Sequence, residues 1–495
     1  MKYKNINNKF NKIKNKLKVI FSSKYTPPIA IVVILLLALL VRLYRIENPV
    51  ADWHSWRQAD TASVTRTYVD EGINLLYPRY HDISTAQSGM FNPNGYRFVE
   101  FPLYNAVHAV FYRLIPTFSL EIWGRLVSIL FSLVSVFLLY IIGRRTIGVW
   151  GGLLAAFYFA FIPYNIYFSR VILPEPLTTM LGLLSIFFVF KYTEKDKTVW
   201  LYLTAFTFSL ALLVKPFTIF YGVPMAWLML EKYSLKSLIK NKNNFVALLI
   251  AFSPFILWRL WENQYPEGIP FWKWAFNGND IRFKPSFWRW IFSERFGNLI
   301  LGTWGLIPLA FGIISGKGKS LFVQFFLLGI ILYVSVIASA NVLHDYYQVI
   351  TIPAISLTLA LGTVRMWESD NMNKILSRGL LIFSLFIMFG VSVYKIRGFY
   401  NVNHWEIVEA GNAVDRLLPK DALVIAPYNG DTAFLYQTKR WGWPVIDRPL
   451  NELIDWGAQY YVSVNYDDVT NKLIKEYELI ESNEKYVILN LQKEK

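Results

Sequence analysis

Residues 28–61 read PIAIVVILLLALLVRLYR, then IENPV, then ADWHSWRQADT. The first part is an uninterrupted apolar run close to the ~20 residues that a hydrocarbon core demands, and it stops at Arg42 and Arg45. The last part places two carboxylates (Asp52, Asp60), an imidazole (His54), a guanidinium (Arg57), an amide (Gln58) and two indoles (Trp53, Trp56) directly behind that run. A solvated linker has no need of this mixture. A site that activates a hydroxyl, holds an anionic phosphate and lies at a membrane surface needs a base, cations and amphipathic rings together. The plainer alternative for this stretch is an interfacial loop with an aromatic anchor.

The whole chain has the same character as its opening run. Of its 495 residues 54% are apolar and 17% aromatic, with only 17% charged, which is the composition of a polytopic membrane protein. A formal charge of +16 suits nucleic acid in principle, but the lysines sit in short segments between apolar runs, as cytoplasmic loops require, so no nucleic-acid partner is expected. There is no cysteine, which excludes disulfides, thiolate metal sites and thiol nucleophiles. Residues 1–27 carry eight lysines and no acid, so this end is expected to stay in the cytoplasm, and the apolar run behind it lacks the small-residue cleavage site of a signal peptide.

Apolar segments recur at 28–45, 120–142, 148–167, 177–190, 199–214, 217–230, 245–260, 299–314, 321–338, 346–364 and 379–396, giving about eleven spans when judged by length. Their alternation puts two long loops outside. The first, 46–119, is expected to hold a helix that begins at Asp60 and stops at Gly72, and a shorter interfacial helix near 101–116. The second, 261–296, contains FWKWAF (271–276) and FWRWIF (287–292), the pattern of a segment lying among lipid headgroups. Residues 399–495 are polar and alternating instead, with a helix expected over 404–418 and strands at 422–426, 459–464 and 485–491. They read as a small extracytoplasmic α/β domain behind a transmembrane domain of residues 28–398, with a structural or acceptor-docking role.

Sorted by side, Asp52, His54, Arg57, Gln58, Asp60, Glu100, Arg170, Glu175, Lys215, His344 and Asp345 all fall outside. Lys215 alone fits a snorkelling lysine, and His344 and Asp345 alone fit a helix cap. Glu175, between two prolines at a membrane edge, is costly there without a partner.

Several stretches together carry a family likeness. EFPLY (100–104), RLVSILF running to GRR (125–145), LPEPL (173–177) and the Lys215-Pro216 pair behind a span, following the early acidic motif, resemble the GT-C glycosyltransferases. The closest group holds the protein O-mannosyltransferases and the lipid A aminoarabinose transferase, and the likeness covers roughly residues 28–365. It implies transfer of one sugar from a polyprenyl-phosphate donor to an acceptor on the outer face, in a multi-pass protein of the plasma membrane. A first-loop carboxylate acts as base in that family. Here the usual Asp-Glu pair is replaced by WRQAD, leaving Asp60 and Asp52 as candidates, with Asp60 favoured beside Arg57. The family's cationic phosphate-holding role falls to Arg57, Lys215 and His344. No D-x-D pattern occurs, so no required metal or other cofactor is expected. The acceptor class, whether glycan, lipid or protein, stays open. So do two other functional classes, a lipid-linked-sugar flippase or transporter and a non-catalytic membrane scaffold.

Overall fold

The computed structural model describes residues 25–369 and 372–495, so most of the basic N-terminal segment lies outside the described residues. Among these, six helices are long and apolar enough to cross a membrane: Leu120–Thr146, Glu175–Lys195, Lys242–Glu262, Gly318–Val336, Asp345–Glu368 and the apolar part of Lys374–Leu417. Shorter apolar helices occupy Thr26–Arg42, Val149–Phe161 and Thr198–Val214. With these spans the chain is an integral membrane protein.

Of the other expected spans, 148–167, 217–230 and 299–314 are interrupted, and proline is a recurrent cause. Pro163 opens a separate short helix, Pro163–Phe168. Pro216 cannot donate a backbone hydrogen bond, so Thr198–Val214 stops before it and the chain resumes as a 3₁₀ turn, Pro216–Tyr221. The segment near 299–314 divides into a π-helical stretch, Trp290–Ile300, and a nine-residue helix, Leu306–Ile314. Such breaks are tolerated at membrane depth where protein surrounds them.

Three parts of the chain form one layer at the end of the helix bundle. At its centre lies the helix Ser55–Glu71, which starts earlier than the sequence suggested: the chain turns into it through His54 in the left-handed region (φ 54°), and Asp60 lies inside the helix instead of at its start. The expected stop at Gly72 is present, with φ 108°. This helix is polar yet buried over most of its length, so its polar groups must find partners in the protein. Asn105 of the helix Leu103–Leu114 donates to the Thr61 carbonyl at 2.6 Å. Ser63 accepts from the His81 amide at 2.9 Å, and Arg66 donates to the Tyr436 carbonyl at 2.8 Å. The second long loop joins the same layer, its Phe271 amide donating to the Gln87 carbonyl at 2.9 Å and its Gly268 carbonyl accepting from the Phe98 amide at 2.8 Å.

The third part is a five-stranded sheet built from β1 (Leu423–Ile425), β2 (Trp441–Trp443), β3 (Tyr460–Ser463), β4 (Tyr477–Ser482) and β5 (Val487–Glu494), in the order β2-β1-β3-β5-β4. The β1 pairings are parallel and the β5 pairings antiparallel. The helix Trp405–Leu417 and strands β1, β3 and β5 lie where the alternation of residues put them, whereas β2 and β4 were not anticipated. The β2 edge does not end the sheet's hydrogen bonding. Gly442 donates to the His81 carbonyl at 2.9 Å and accepts from the Ile83 amide at 3.0 Å, so residues 81–83 of the first loop lie beside it as an added strand. Gly95 makes the approach possible, since a Cβ there would collide with the Tyr80 carbonyl and the Trp441 ring.

Candidate active site

Arg57, Asp60, Thr61 and Val64 recur at helical spacing and share one face of Ser55–Glu71. That face forms a wall of a cleft with about 350 Å³ of empty space, completed by Arg97, Glu100, Tyr104, Asn105 and Pro174. The Asp60 carboxylate is buried at 1% exposure. Its Oδ2 accepts from Arg97 Nη2 at 2.5 Å, and its Oδ1 accepts from Thr432 Oγ1 at 2.6 Å. The carboxylate is therefore held by one charged and one neutral donor.

Next to it runs a chain of alternating charges. Arg57 is ion-paired with Glu100. Lys215 Nζ lies 2.9 Å from Glu100 Oε1 and 3.1 Å from Glu175 Oε1. The backbone explains why these residues meet. Pro174 and Pro176 flank Glu175 in the first turn of Glu175–Lys195, where proline is tolerated and the helix dipole favours a carboxylate. Lys215 is extended (φ −146°, ψ 110°) at the break that Pro216 imposes. Burial pushes the Glu100 carboxyl up, but the Arg57 guanidinium and the Lys215 ammonium outweigh it and bring it down to about 2. Burial pulls Lys215 down, and the carboxylates of Glu100 and Glu175 more than restore it, so it stays cationic. Arg57 is held above its ordinary value in the same way, burial being overcome by Glu100. Lys215 thus belongs to a buried network and is not the snorkelling side chain that its position allowed.

Asp52 lies apart from the cleft. Its side chain is wholly enclosed; Oδ1 accepts from Gln58 Nε2 at 2.6 Å and Oδ2 faces Arg125 Nη2 at 4.0 Å. Burial raises its pKa against the pull of Arg125 and Arg170. Arg170 is buried beside it and donates to the Arg45 carbonyl at 2.9 Å, while Gln58 accepts from the Ile172 amide at 3.3 Å. A third group gathers at the start of the first-loop helix. His54 Nε2 is 2.5 Å from Asp345 Oδ1, and Trp53 Nε1 donates to Asp345 Oδ2 at 3.1 Å. His344 packs against the rings of Tyr346, Trp56 and Trp274, with centroids 5.5–5.6 Å away. Burial, then the neighbouring His54, brings its pKa down to about 4. Among the described residues no group of three or more His, Asp or Glu side chains is placed to bind a metal ion.

A family model described as dolichyl-phosphate-mannose-protein mannosyltransferase matches residues 100–261. Two structures of ArnT from Cupriavidus metallidurans superpose over nearly the whole chain. With undecaprenyl phosphate bound, the TM-score is 0.61 at 12% identity, covering 92% of this chain and 97% of that one. In the apo state it is 0.62 at 12% identity, covering 94% and 98%. The protein has the GT-C glycosyltransferase fold. A GT-C relative with a larger chain, the Archaeoglobus fulgidus oligosaccharyltransferase solved with zinc and sulfate, matches at a TM-score of 0.53 and 10% identity, covering 90% of this chain and 71% of that one. A comparison with curated protein sequences finds no match.

Within this GT-C fold, two residues that hold Asp60 escaped the sequence reading. Arg97 had a local signal, since it stands three residues before Glu100 in the stretch YRFVEFP (96–102). Thr432 had none. It lies 372 residues from Asp60, in the short helix Thr432–Thr438, and only the docking of the sheet on the first loop brings the two together.

Proposed function

We propose that the protein is a membrane glycosyltransferase that moves a sugar from a polyprenyl-phosphate carrier to an acceptor hydroxyl on the outer face of the membrane. The supporting observation is the single cleft in which a buried carboxylate, Asp60, stands beside Arg57 and the Lys215 network. In this reading Asp60 is the base, Asp52 has a structural role in the loop, and the layer holding the first loop, the second loop and the sheet is extracytoplasmic. The lysine-rich segments at the opposite ends of the spans favour that orientation. The polyprenyl-phosphate donor is carried over from the family likeness and from the ligand in the ArnT structure.

The chemistry balances with these groups. The acceptor oxygen forms a bond to the anomeric carbon while the bond from that carbon to the phosphate oxygen breaks. Asp60 takes the hydroxyl proton, and the carrier leaves as polyprenyl phosphate with the bonding electrons. Arg57 and Lys215 meet the charge that develops on the departing phosphate. Arg57, Arg97 and Lys215 are balanced at rest by Asp60, Glu100 and Glu175. A bound phosphate therefore has to share Arg57 and Lys215 with Glu100. The exposed rings of Phe271, Trp272, Phe283 and Trp290 give the second loop an apolar rim for the lipid tail.

Asp60→Asn tests the reading. It keeps the shape and an acceptor for Thr432 but cannot take a proton, so turnover is expected to fall by about 10²–10⁴-fold with polyprenyl-phosphate binding retained. Near-normal transfer in this variant would remove Asp60 as base.

A further inference from the structure

The second long loop carries positive charge that the fold leaves unmatched. Between Phe271 and Phe292 the chain has four cations, Lys273, Arg282, Lys284 and Arg289, against one acid, Asp280. Arg282 is taken up within the fold, donating to the Val336 carbonyl at 3.1 Å. Lys273, Lys284 and Arg289 are exposed, and among the described residues none of them has a carboxylate partner. The same stretch exposes the rings of Phe271, Trp272, Phe276, Phe283, Trp290 and Phe292, with Phe283 at 76% and Phe271 at 64%. Single exposed rings are ordinary, whereas a run of them marks an interaction surface. The depth of the loop is set by the ends of two spans. It leaves the helix Lys242–Glu262, and the Arg282 bond, with Gly278 donating to Ser339 Oγ at 2.7 Å, pins it where Gly318–Val336 ends. Ala275, Phe287 and Ile291 are buried in the core of the bundle, and Trp274 packs on His344 with ring centroids 5.6 Å apart. The other rings and the three unmatched cations remain uncovered.

We infer that this face of the second loop docks anionic phospholipid of the surrounding bilayer, with the rings seated among headgroups and upper acyl chains and with Lys273, Lys284 and Arg289 on headgroup phosphates. The partner is bulk lipid, separate from the donor bound in the cleft. In WKW (272–274) and WRW (288–290) a cation stands between two indoles. An indole prefers the boundary between hydrocarbon and water, and a long cationic side chain beside it reaches the phosphate layer. A zwitterionic headgroup brings a cation of its own, so three unmatched charges are met better by a headgroup of net negative charge. In the orientation proposed above this is the outer face, where the bias of Lys and Arg toward the cytoplasm supplies no reason for them. The need for an anionic partner holds on either face.

The chain has no cysteine, so Ser286→Cys, at an exposed position of the loop, gives a single attachment point for a fluorophore. The full-length labelled protein is placed in phosphatidylcholine nanodiscs containing a small fraction of phosphatidylglycerol or phosphatidylcholine that carries a quenching spin label on its upper acyl chain. Phosphatidylglycerol is expected to quench as if locally enriched by about fivefold for each cation that meets a headgroup. In ~1 M salt, where the screening length is about 3 Å, the two lipids should quench alike. Lys273→Gln/Lys284→Gln/Arg289→Gln is expected to abolish the preference while quenching by phosphatidylcholine persists. Lys236→Gln/Lys240→Gln, in the short helix Leu235–Lys240 at the other end of Lys242–Glu262, is expected to leave the preference intact. Equal quenching by the two lipids in the parent overturns the anionic partner. So does a preference that survives the triple substitution or disappears with the Lys236 and Lys240 pair. Absence of quenching by either lipid means that solvent or another protein covers this face, and it overturns the docking surface itself.

Discussion

Lys215→Ala separates the electrostatic role of the network from its structural one. The ammonium bridges Glu100 and Glu175 at 2.9 and 3.1 Å, and its side chain is 6% exposed. Glu100 keeps Arg57 when Lys215 is lost. Glu175 is 2% exposed, and its second oxygen already lacks a hydrogen-bond partner, so the substitution strands a buried carboxylate. Removing one member of a buried pair typically costs about 3–5 kcal/mol, which is visible as a lower unfolding midpoint of the detergent-solubilised protein. Adding Glu175→Gln removes the stranded charge and is expected to recover most of that loss. It does not replace the cation, so affinity for polyprenyl phosphate should stay down by roughly tenfold to more than a hundredfold, the equivalent of about 1.5–3 kcal/mol for one charge-assisted contact. The informative comparison is unfolding and binding measured on both variants. A double variant that regains binding along with stability refutes a phosphate role for Lys215, and a single variant as stable as the parent refutes the buried network.

Acid should weaken the same network. Glu100 titrates at about 2 in the folded chain against an ordinary 4.5, so the stability it contributes is complete above about pH 4.5 and is lost as pH falls toward 2; Glu100→Gln should flatten that limb of the unfolding profile. Asp82 has the opposite sign. Burial raises it to about 6 from 3.8, so its ionised form is a liability above pH 6, and Asp82→Asn should raise the unfolding midpoint at pH 7.5 more than at pH 4. Gly95→Ala puts a methyl group against the Tyr80 carbonyl and the Trp441 ring at a residue with φ +59°. Limited proteolysis should then release the C-terminal sheet unit sooner than in the parent, and equal cleavage rates would contradict the docking described here.

The sequence made some features legible because their causes are local. Apolar length marked the six long apolar helices but overcounted the rest, where shorter or divided helices stand, and charge asymmetry gave an expected direction. Short apolar runs marked β1, β3 and β5, whose buried residues include Val424, Tyr461 and Leu489. The strand β2, with Gly442 at its centre, has no such run to read. Arg57, Glu100, Glu175 and Lys215 could be nominated as outer-face charges, but their pairing depends on two proline-defined helix ends meeting. The start of the first-loop helix was misplaced for a related reason. Asp60 before Thr61 resembles a helix cap, whereas the actual entry uses His54 with positive φ, a conformation that a non-glycine residue rarely signals in advance. Thr432 was invisible for the simplest reason, because a threonine's neighbours in sequence say nothing about a carboxylate brought to it by tertiary docking.

The polar helix Ser55–Glu71 also explains why the layer at this end of the bundle has three contributors. A helix with so few apolar side chains gains little from the hydrophobic effect and cannot be stable alone. Its burial is tolerable only if each enclosed polar group is paired. The first loop supplies Asn105 and Arg97, the helix bundle brings Lys215 up to Glu100, and the sheet supplies Thr432 and the Tyr436 carbonyl. Removing any one leaves buried groups of this helix or its partners unsatisfied, so the geometry of the cleft and the integrity of the layer are the same physical problem. The arrangement gives the buried Asp60 carboxylate two donors, Arg97 and Thr432, and it ties the position of that carboxylate to a residue far along the chain.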